Sequence, residues 1–396
     1  MAVPARVLVR GTGLIGTSLA LALRDKGTEV FLSDADPAAA RLAADLGAGT
    51  VLPDLRDGKG IADVAVLAMP PALVGEELSA AQECAVADLY TDVASVKVLP
   101  VDRARALGCD LASFVPGHPL AGRERHGPAA AQADLFLGRT WALCPLPETS
   151  PHAVDVVTAL VVAAGADPVV TDAATHDRWV ALVSHAPHLV ATAMAARLAP
   201  AGIPGDALRL AGQGLRDVTR VAAGDSALWT QILSANAGPV AEVVAAVAQD
   251  LTEVARLLAA AGDAPQDAPP GHAPSGHALP VHAPCADAQR AGARPDATGG
   301  VTALLDRGRA GVGRIPGKHG GQPRKFTVVQ VVIADRPGEL ARLFNAAGAA
   351  GVNIEDIRLE HSPGLPVGVA ELSVRPDQAA TLLDAMEDGG WPVRRG

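Results

Sequence analysis

Between residues 6 and 171, short runs rich in Val and Leu alternate with longer Ala-rich stretches. Runs that stay apolar at consecutive positions, rather than at every second one, suit strands buried on both faces, and the stretches between them have helical length. The pattern predicts a doubly wound α/β domain over 1–171. Its parallel sheet is expected to use strands at 6–9, 29–33, 64–68, 86–90, 113–115, 140–144 and 168–171. From 172 to 261 the strand signal vanishes, and Ala, Leu and Val recur at helical spacing with breaks near 200–204 and at Gly224. This second domain is expected to be all helical.

Over 262–300 the chain turns to Ala, Pro, Asp, Gly and His with almost no large apolar side chain. Such a composition cannot bury enough surface to offset the entropy of ordering, and predicts a flexible linker. His272, His277 and His282 recur every five residues there, but with no element to position them they read as solvated linker rather than a metal site. Residues 301–325 hold several Gly, Lys and Arg around one short apolar run and read as a connector. Alternating patterns return over 326–396, with strands at 326–333, 354–361, 367–374 and near Trp391, and helices at 338–350 and 377–388. That order predicts a small βαββαβ domain.

A chain of 396 residues suits this division into two or three domains. Its formal charge of -10 would repel nucleic-acid phosphates and anionic lipid, so neither is an expected partner. Cys84, Cys109, Cys144 and Cys285 lie far apart without a CxxC pair, which fits reduced thiols and a cytoplasmic setting. The first strand follows Met1 without a charged-then-apolar leader, and stretches such as 156–166 stop well short of the roughly 20 apolar residues a membrane span needs.

Chemistry enters at the first turn. Gly11, Thr12, Gly13, Leu14, Ile15 and Gly16 form GxGxxG between a predicted strand and a helix expected over 17–26. Gly11 would permit the tight turn, Gly13 would let backbone approach a pyrophosphate, and Gly16 would let helix and strand pack closely, with phosphates on the helix N-terminal amides. Asp34 closes the second strand, where a carboxylate would bind ribose hydroxyls and repel a 2′-phosphate, favouring NAD. Met69, after the strand at 64–68, is counted with the cofactor residues.

Polar groups gather at two later strand ends, where open α/β sheets bind ligands: Ser95 within DVASVK and His118 within GHPLAG. In the helical part, Thr175, His176 and Asp177 precede Ser184, His185 and His188. Ser184 and His188, four apart, are expected on one face, with His185 pointing elsewhere. Arg216 and Arg220 in GLRDVTR would also share a helix face, and a guanidinium fork suits a substrate carboxylate.

Taken together, GTGLIGTS, DVASVK, GHPLAG, THDRWVALVSHAPH, GLRDVTR and LWTQILSAN resemble the prephenate dehydrogenase family over residues 6–258. IPGKHGG and DRPGEL resemble members that carry a C-terminal ACT domain. The resemblance implies a Rossmann-like domain, a helical domain that forms a homodimer, and oxidative decarboxylation of prephenate with NAD. It implies that His118 takes the proton of the ring hydroxyl and Ser95 orients it. Arg220 would hold a carboxylate, and Ser184 and His188 would line the side-chain pocket with support from Arg216, Asp217 and Trp229. Asp335, Gly338, Asn353 and Ile354 would lie near a site for an amino-acid effector such as tyrosine, with Gly338 offering helix amides to its carboxylate. Arogenate, whose ammonium would call for an acidic neighbour, is the nearest rival substrate. Ser184 and His188 favour a neutral keto acid. A hydroxyacid or imine reductase would be expected to use lysine or aspartate at the helical site, and a regulator sensing NAD without turnover would not need Ser95, His118 and Arg220.

Overall fold

The computed structural model describes residues 3–122, 126–199, 205–262, 297–315, 326–361 and 366–395. Most of the expected linker, with its three histidines and Cys285, lies outside them. The chain divides into two compact units, Met1–Ala255 and Arg256–Gly396.

In the first unit, β1 (Arg6–Arg10), α1 (Leu14–Arg24), β2 (Glu29–Ser33), α2 (Pro37–Asp45) and β3 (Thr50–Val51) build one half of a sheet. The other half is β4 (Ala62–Leu67), α3 (Val74–Glu83), β5 (Ala87–Asp92), α4 (Val98–Ala106) and β6 (Phe114–Val115). The strand order β3-β2-β1-β4-β5-β6 reverses between β1 and β4, and every pairing is parallel. Alternate residues of one strand enter different cores. Val7 and Val9 pack with α1 residues Leu19 and Leu23, while Leu8 packs with Leu78 of α3 and Val101 of α4. Burial on both faces is why these strands read as unbroken apolar runs.

The single parallel sheet expected through 171 is corrected. β7 (Gly117–Pro119), β8 (Thr140–Leu143) and β9 (Asp167–Val170) form a separate three-stranded sheet, with β7 antiparallel to β8. Pro116 separates β6 from β7, and a proline breaks ladder pairing. α5 (Pro151–Ala163) connects β8 to β9, its N-cap Ser150 accepting from the Ala153 amide.

The helical part comprises α6 (Ala173–Val180), a π-turn over Ala181–His185, α7 (Ala186–Ala196), α8 (Gly205–Leu208), α9 (Gln213–Thr219), α10 (Ser226–Ala235) and α11 (Ala237–Gly262). By length and composition Ala173–Ala196 could cross a membrane, its mean hydropathy being 1.2. It nevertheless buries His176, Asp177, His185 and His188 inside the unit.

In the second unit a helix, α12 (Ala297–Val312), occupies the end of the expected linker and much of the expected connector. Its glycines resemble breakers, but the segment stays helical and pairs Asp306 with Arg309 one turn apart. The βαββαβ module follows: β10 (Thr327–Ala334), α13 (Glu339–Ala349), β11 (Asp356–His361), β12 (Val367–Val374), α14 (Ala379–Asp388) and β13 (Val393–Arg395). Its antiparallel order is β11-β12-β10-β13, and Val329, Val331, Leu372 and Val374 form its core with Leu343, Leu382 and Met386.

The glycine fingerprint sits where the strand order reverses, and the three glycines divide their tasks. Gly11 has φ +100°, and a Cβ there would lie 2.2 Å from the Ala68 carbonyl oxygen. At Gly16 a Cβ would lie 1.9 Å from the Gly11 oxygen, whereas at Gly13 it would meet nothing within 4 Å. Gly11 and Gly16 therefore lock turn to sheet, and Gly13 leaves open space over the start of α1. Gly16→Ala is expected to destabilise the first unit by about 1–3 kcal/mol through overpacking. Gly13→Ala should cost less than about 1 kcal/mol while weakening dinucleotide binding at least ~10-fold. Denaturant unfolding and NAD titration check both, and equal stability losses would contradict this division.

Candidate active site

The cofactor cradle starts from β1. α1 begins at Leu14, three residues earlier than the spacing suggested, so Gly13 is its N-cap and the first-turn amides lie beside the glycine loop. The helix's positive end and a loop that excludes side chains suit a pyrophosphate, so the residues present fit a dinucleotide. Asp34 Oδ2 accepts from the Thr12 amide at 2.5 Å and its hydroxyl at 2.9 Å, and Oδ1 accepts from the Asp36 amide at 2.8 Å. This places Asp34 at the end of β2 beside the fingerprint, with oxygen lone pairs remaining for ribose hydroxyls. Met69 follows Ala68, whose amide donates to the Arg10 carbonyl at 2.7 Å.

At the end of β5, Asp92 and Lys97 form an ion pair that is fully buried. Lys97 Nζ also donates to the Gly117 carbonyl, while Asp92 accepts from the Ala94 amide at 2.8 Å and the Gly117 amide at 3.3 Å. Burial pushes the Asp92 carboxyl up, and the Lys97 ammonium opposes it. Breaking such a pair strands a charge, at a cost of about 3–5 kcal/mol. The pair thus clamps β7, and with it His118, to β5.

His118 faces a cavity of about 510 Å³ lined also by Ser95, Ser184, His185, His188 and Trp229. His118 Nδ1 lies 3.0 Å from His176 Nε2, and His176 Nδ1 lies 2.8 Å from Asp177 Oδ1. Asp177 accepts the backbone amides of Lys97 and Val98 at 2.8 and 2.9 Å. Asn236 Nδ2 joins the Asp177 carbonyl at 2.8 Å and His185 Nδ1 at 3.1 Å. His188 stacks on Trp229 with ring centroids 3.6 Å apart. Burial lowers the pKa of His118 well below the usual imidazole value, with His176 and Lys97 adding to the shift. Burial likewise takes His185 down to about 4 and lowers His188. These three rings are neutral at pH 7.

The cavity brings together Ser95, His118, Ser184, His188 and Trp229 as expected, and the structure corrects three other expectations. His185 does not point elsewhere: the π-turn spreads one turn over an extra residue and puts His185 in the same lining. Arg216 and Arg220 lie one α-helical turn apart, the Arg220 amide donating to the Arg216 carbonyl at the C-cap of α9. Arg216, Asp217 and Arg220 are exposed and outside the cavity lining, although Val221 and Gly224 belong to it. In the second unit, Asn353 and Ile354 line a cavity of about 420 Å³, but Asp335 lines a separate one of about 70 Å³. Gly338 caps α13 as expected, yet the next residue already supplies a carboxylate. Glu339, paired with Arg342, Arg336 and Trp391 Nε1, has its pKa lowered to about 2 and would repel another acid. Sequence reasoning placed Asp92, Lys97, His176 and Asp177 in candidate polar segments and Asn236 in a motif, but gave none of them a role; the adjacent His-Asp in THDRW was the available signal.

Residues 19–170 match the model of the prephenate dehydrogenase nucleotide-binding domain, and 172–266 match that of the prephenate dehydrogenase dimerization domain. The chain belongs to the prephenate dehydrogenase family. It is 38% identical over 389 residues to the probable prephenate dehydrogenase NovF of Streptomyces niveus, covering 98% of each chain. It is 32% identical over 247 residues to prephenate dehydrogenase of Bacillus subtilis, covering 58% of this chain and 64% of that one. Among solved structures of the family, prephenate dehydrogenase from A. aeolicus, in complex with hydroxyphenyl propionate and NAD+, superposes with a TM-score of 0.59 at 27% identity. The match covers 65% of this chain and 92% of that one. Synechocystis arogenate dehydrogenase gives 0.56 at 28% identity, covering 65% and 93%.

The buried histidines give the unit a pH dependence of definite sign. Unfolded His185 takes up its proton near pH 6.5, the folded one near 4, so stability present above 6.5 is lost as pH falls to 4, by up to about 3 kcal/mol. In denaturant unfolding from pH 7 to 4, His185→Gln should lose less stability than wild type. Parallel pH curves would contradict the assignment.

Proposed function

We propose that the protein is an NAD-dependent prephenate dehydrogenase, a cytoplasmic enzyme of tyrosine formation that converts prephenate to 4-hydroxyphenylpyruvate and carbon dioxide. The observation that carries this reading is His118, a neutral imidazole facing the cavity beside Ser95 and clamped to the sheet that bears the dinucleotide cradle. Gly11, Thr12, Gly13, Leu14, Ile15 and Gly16 hold the pyrophosphate on the α1 amides, Asp34 takes the ribose hydroxyls, and Met69 borders the cofactor. The oxidised dinucleotide, when bound, supplies the hydride acceptor.

His118 accepts the proton of the ring hydroxyl as that carbon gains carbonyl character, and Ser95 orients the hydroxyl. Loss of the ring carboxylate as carbon dioxide leaves its electron pair in the ring, and aromatisation drives the step. Ser184, His188 and the stacked Trp229 line the side-chain pocket. Arg220, next to the lining residue Val221, is the proposed carboxylate partner, with Arg216 and Asp217 supporting it.

One observation favours arogenate as a second substrate: Asp225 is an acidic residue in the lining. Its Oδ1 is engaged by the Leu228 amide at 2.7 Å as the cap of α10, which keeps prephenate the main reading. The exposed apolar residues Trp179, Leu182, Val183 and Met194 support a homodimer built on the helical part. The βαββαβ module is proposed to be an ACT domain that takes tyrosine in the cavity bounded by Asn353 and Ile354.

NADH absorbance with prephenate and arogenate in parallel tests the reading. NAD-dependent turnover of prephenate is expected, with kcat/KM still level at pH 6.5 and falling only at lower pH, because the base must be unprotonated and burial holds His118 below the usual imidazole value. Saturating tyrosine should lower the rate. His118→Asn should bind NAD while losing ~10²–10⁴ of kcat. An undiminished rate in that variant, or no turnover of either substrate by wild type, would contradict the proposal.

A further inference from the structure

The hydrogen bonds behind His118 determine where its proton sits. Asp177 already accepts two backbone amides, from Lys97 and Val98, and such donors cannot reverse their role. The third contact to its carboxylate, from His176 Nδ1 at 2.8 Å, therefore places a proton on that nitrogen. A neutral imidazole has one N–H, so His176 Nε2 carries a lone pair, and this lone pair meets His118 Nδ1 at 3.0 Å. His118 must then donate from Nδ1, which leaves its own lone pair on Nε2.

We propose that His176, held by Asp177, is a positioning residue that fixes the Nδ1–H tautomer of His118 and accepts its hydrogen bond while His118 holds the substrate proton. This rests on the proposed dehydrogenase reading and adds to it a residue that touches neither substrate nor cofactor.

The reaction makes such a partner useful. The ring O–H bond breaks and an N–H bond forms at His118 Nε2, while the carbon's hydride goes to the oxidised dinucleotide. When the carbon–carboxylate bond breaks, its electron pair completes the aromatic ring, and the resulting phenolate takes the proton back from His118. The net reaction releases no proton, so the base must keep one for part of a turnover and return it. During that interval the imidazolium donates from Nδ1 to His176 Nε2, a charge-assisted bond stronger than the neutral one.

The surroundings otherwise oppose the charge. Burial and the Lys97 ammonium, behind β7, lower the affinity of His118 for a proton. Asp92 is paired with Lys97, and Asp177 reaches His118 through His176. His185 accepts from Asn236 at Nδ1, which leaves it Nε2–H and unable to relieve the charge by accepting from that nitrogen. His176 is thus the member of this cluster able to accept a hydrogen bond from protonated His118 at Nδ1.

Long-range ¹H–¹⁵N spectra of the full-length protein labelled at its 11 histidines, without substrate, read the tautomer directly, with assignments from His118→Asn and His176→Gln. At pH 8, His118 and His176 are both expected to be protonated at Nδ1 alone. His176→Leu should shift the His118 proton toward Nε2, lower kcat about 10- to 100-fold and leave KM within ~3-fold. His176→Gln, whose amide oxygen can accept where Nε2 did, should restore the His118 tautomer and most of kcat. A wild-type His118 protonated at Nε2 would overturn the proposal, as would a folded His176→Leu with unchanged tautomer and kcat. If the leucine variant does not fold, the wild-type spectrum and the glutamine variant decide. Because the spectra need no turnover, a protein that oxidises neither prephenate nor arogenate would sink the functional reading and leave the tautomer result to stand or fall by itself.

Discussion

The carboxylate of Asp177 is the tie on which the rest of the site depends. It takes the amides of Lys97 and Val98, 80 and 79 residues away in sequence, and the ring of its own neighbour His176. Those amides lie where the turn after β5 enters α4, so the first helix of the helical part is fastened to the end of the parallel sheet. The same turn carries Ser95 and sends the buried Lys97 side chain to Asp92 and to the Gly117 carbonyl. His118 is consequently held from two directions, through β7 by Lys97 and through His176 by Asp177. A base fixed this way presents one nitrogen to the cavity without a search over orientations, which is the part of catalysis a scaffold can supply in advance.

The cavity wall also shows how burial sets protonation. His118, His185 and His188 are all driven toward the neutral form, so the wall around the reacting group carries little positive charge of its own. Among the described residues lining the cavity there is neither Lys nor Arg. In the proposed reading, acceptance of the substrate's hydroxyl proton falls to a neutral imidazole inside this wall. A cationic wall would lower the pKa of the base further and hinder the proton uptake that oxidation needs.

Much of this was legible in the sequence where local periodicity and burial coincide. β1, β2 and β4 stood out because both faces are covered, and the glycine loop was recognisable because the geometry of Gly11 and Gly16 admits no side chain. Ser95 and His118 followed from their place at strand ends. The π-turn at Ala181–His185 was not legible, since an extra residue in one turn leaves no mark in composition, and it overturned the assignment of faces that excluded His185. His176 and Asp177 stood out as polar residues near the site but without a role, because their part depends on contacts with His118 and with the amides of Lys97 and Val98 that spacing does not show. Arg216 and Arg220 kept their helical spacing, but spacing could not show that both are exposed outside the cavity lining. α12 was hidden by Gly299, Gly300, Gly308 and Gly311, which read locally as breakers.

The claim that Asp177 serves chemistry through His118, and not only the joining of sheet to helices, is tested most directly by a double-mutant cycle on kcat with Asp177→Asn and His118→Asn, each variant checked for native melting. Once His118 is gone, the Asp177 change should cost almost nothing further, because both act through one base. Losses in kcat that multiply independently would contradict the claim and leave Asp177 as a structural tie alone.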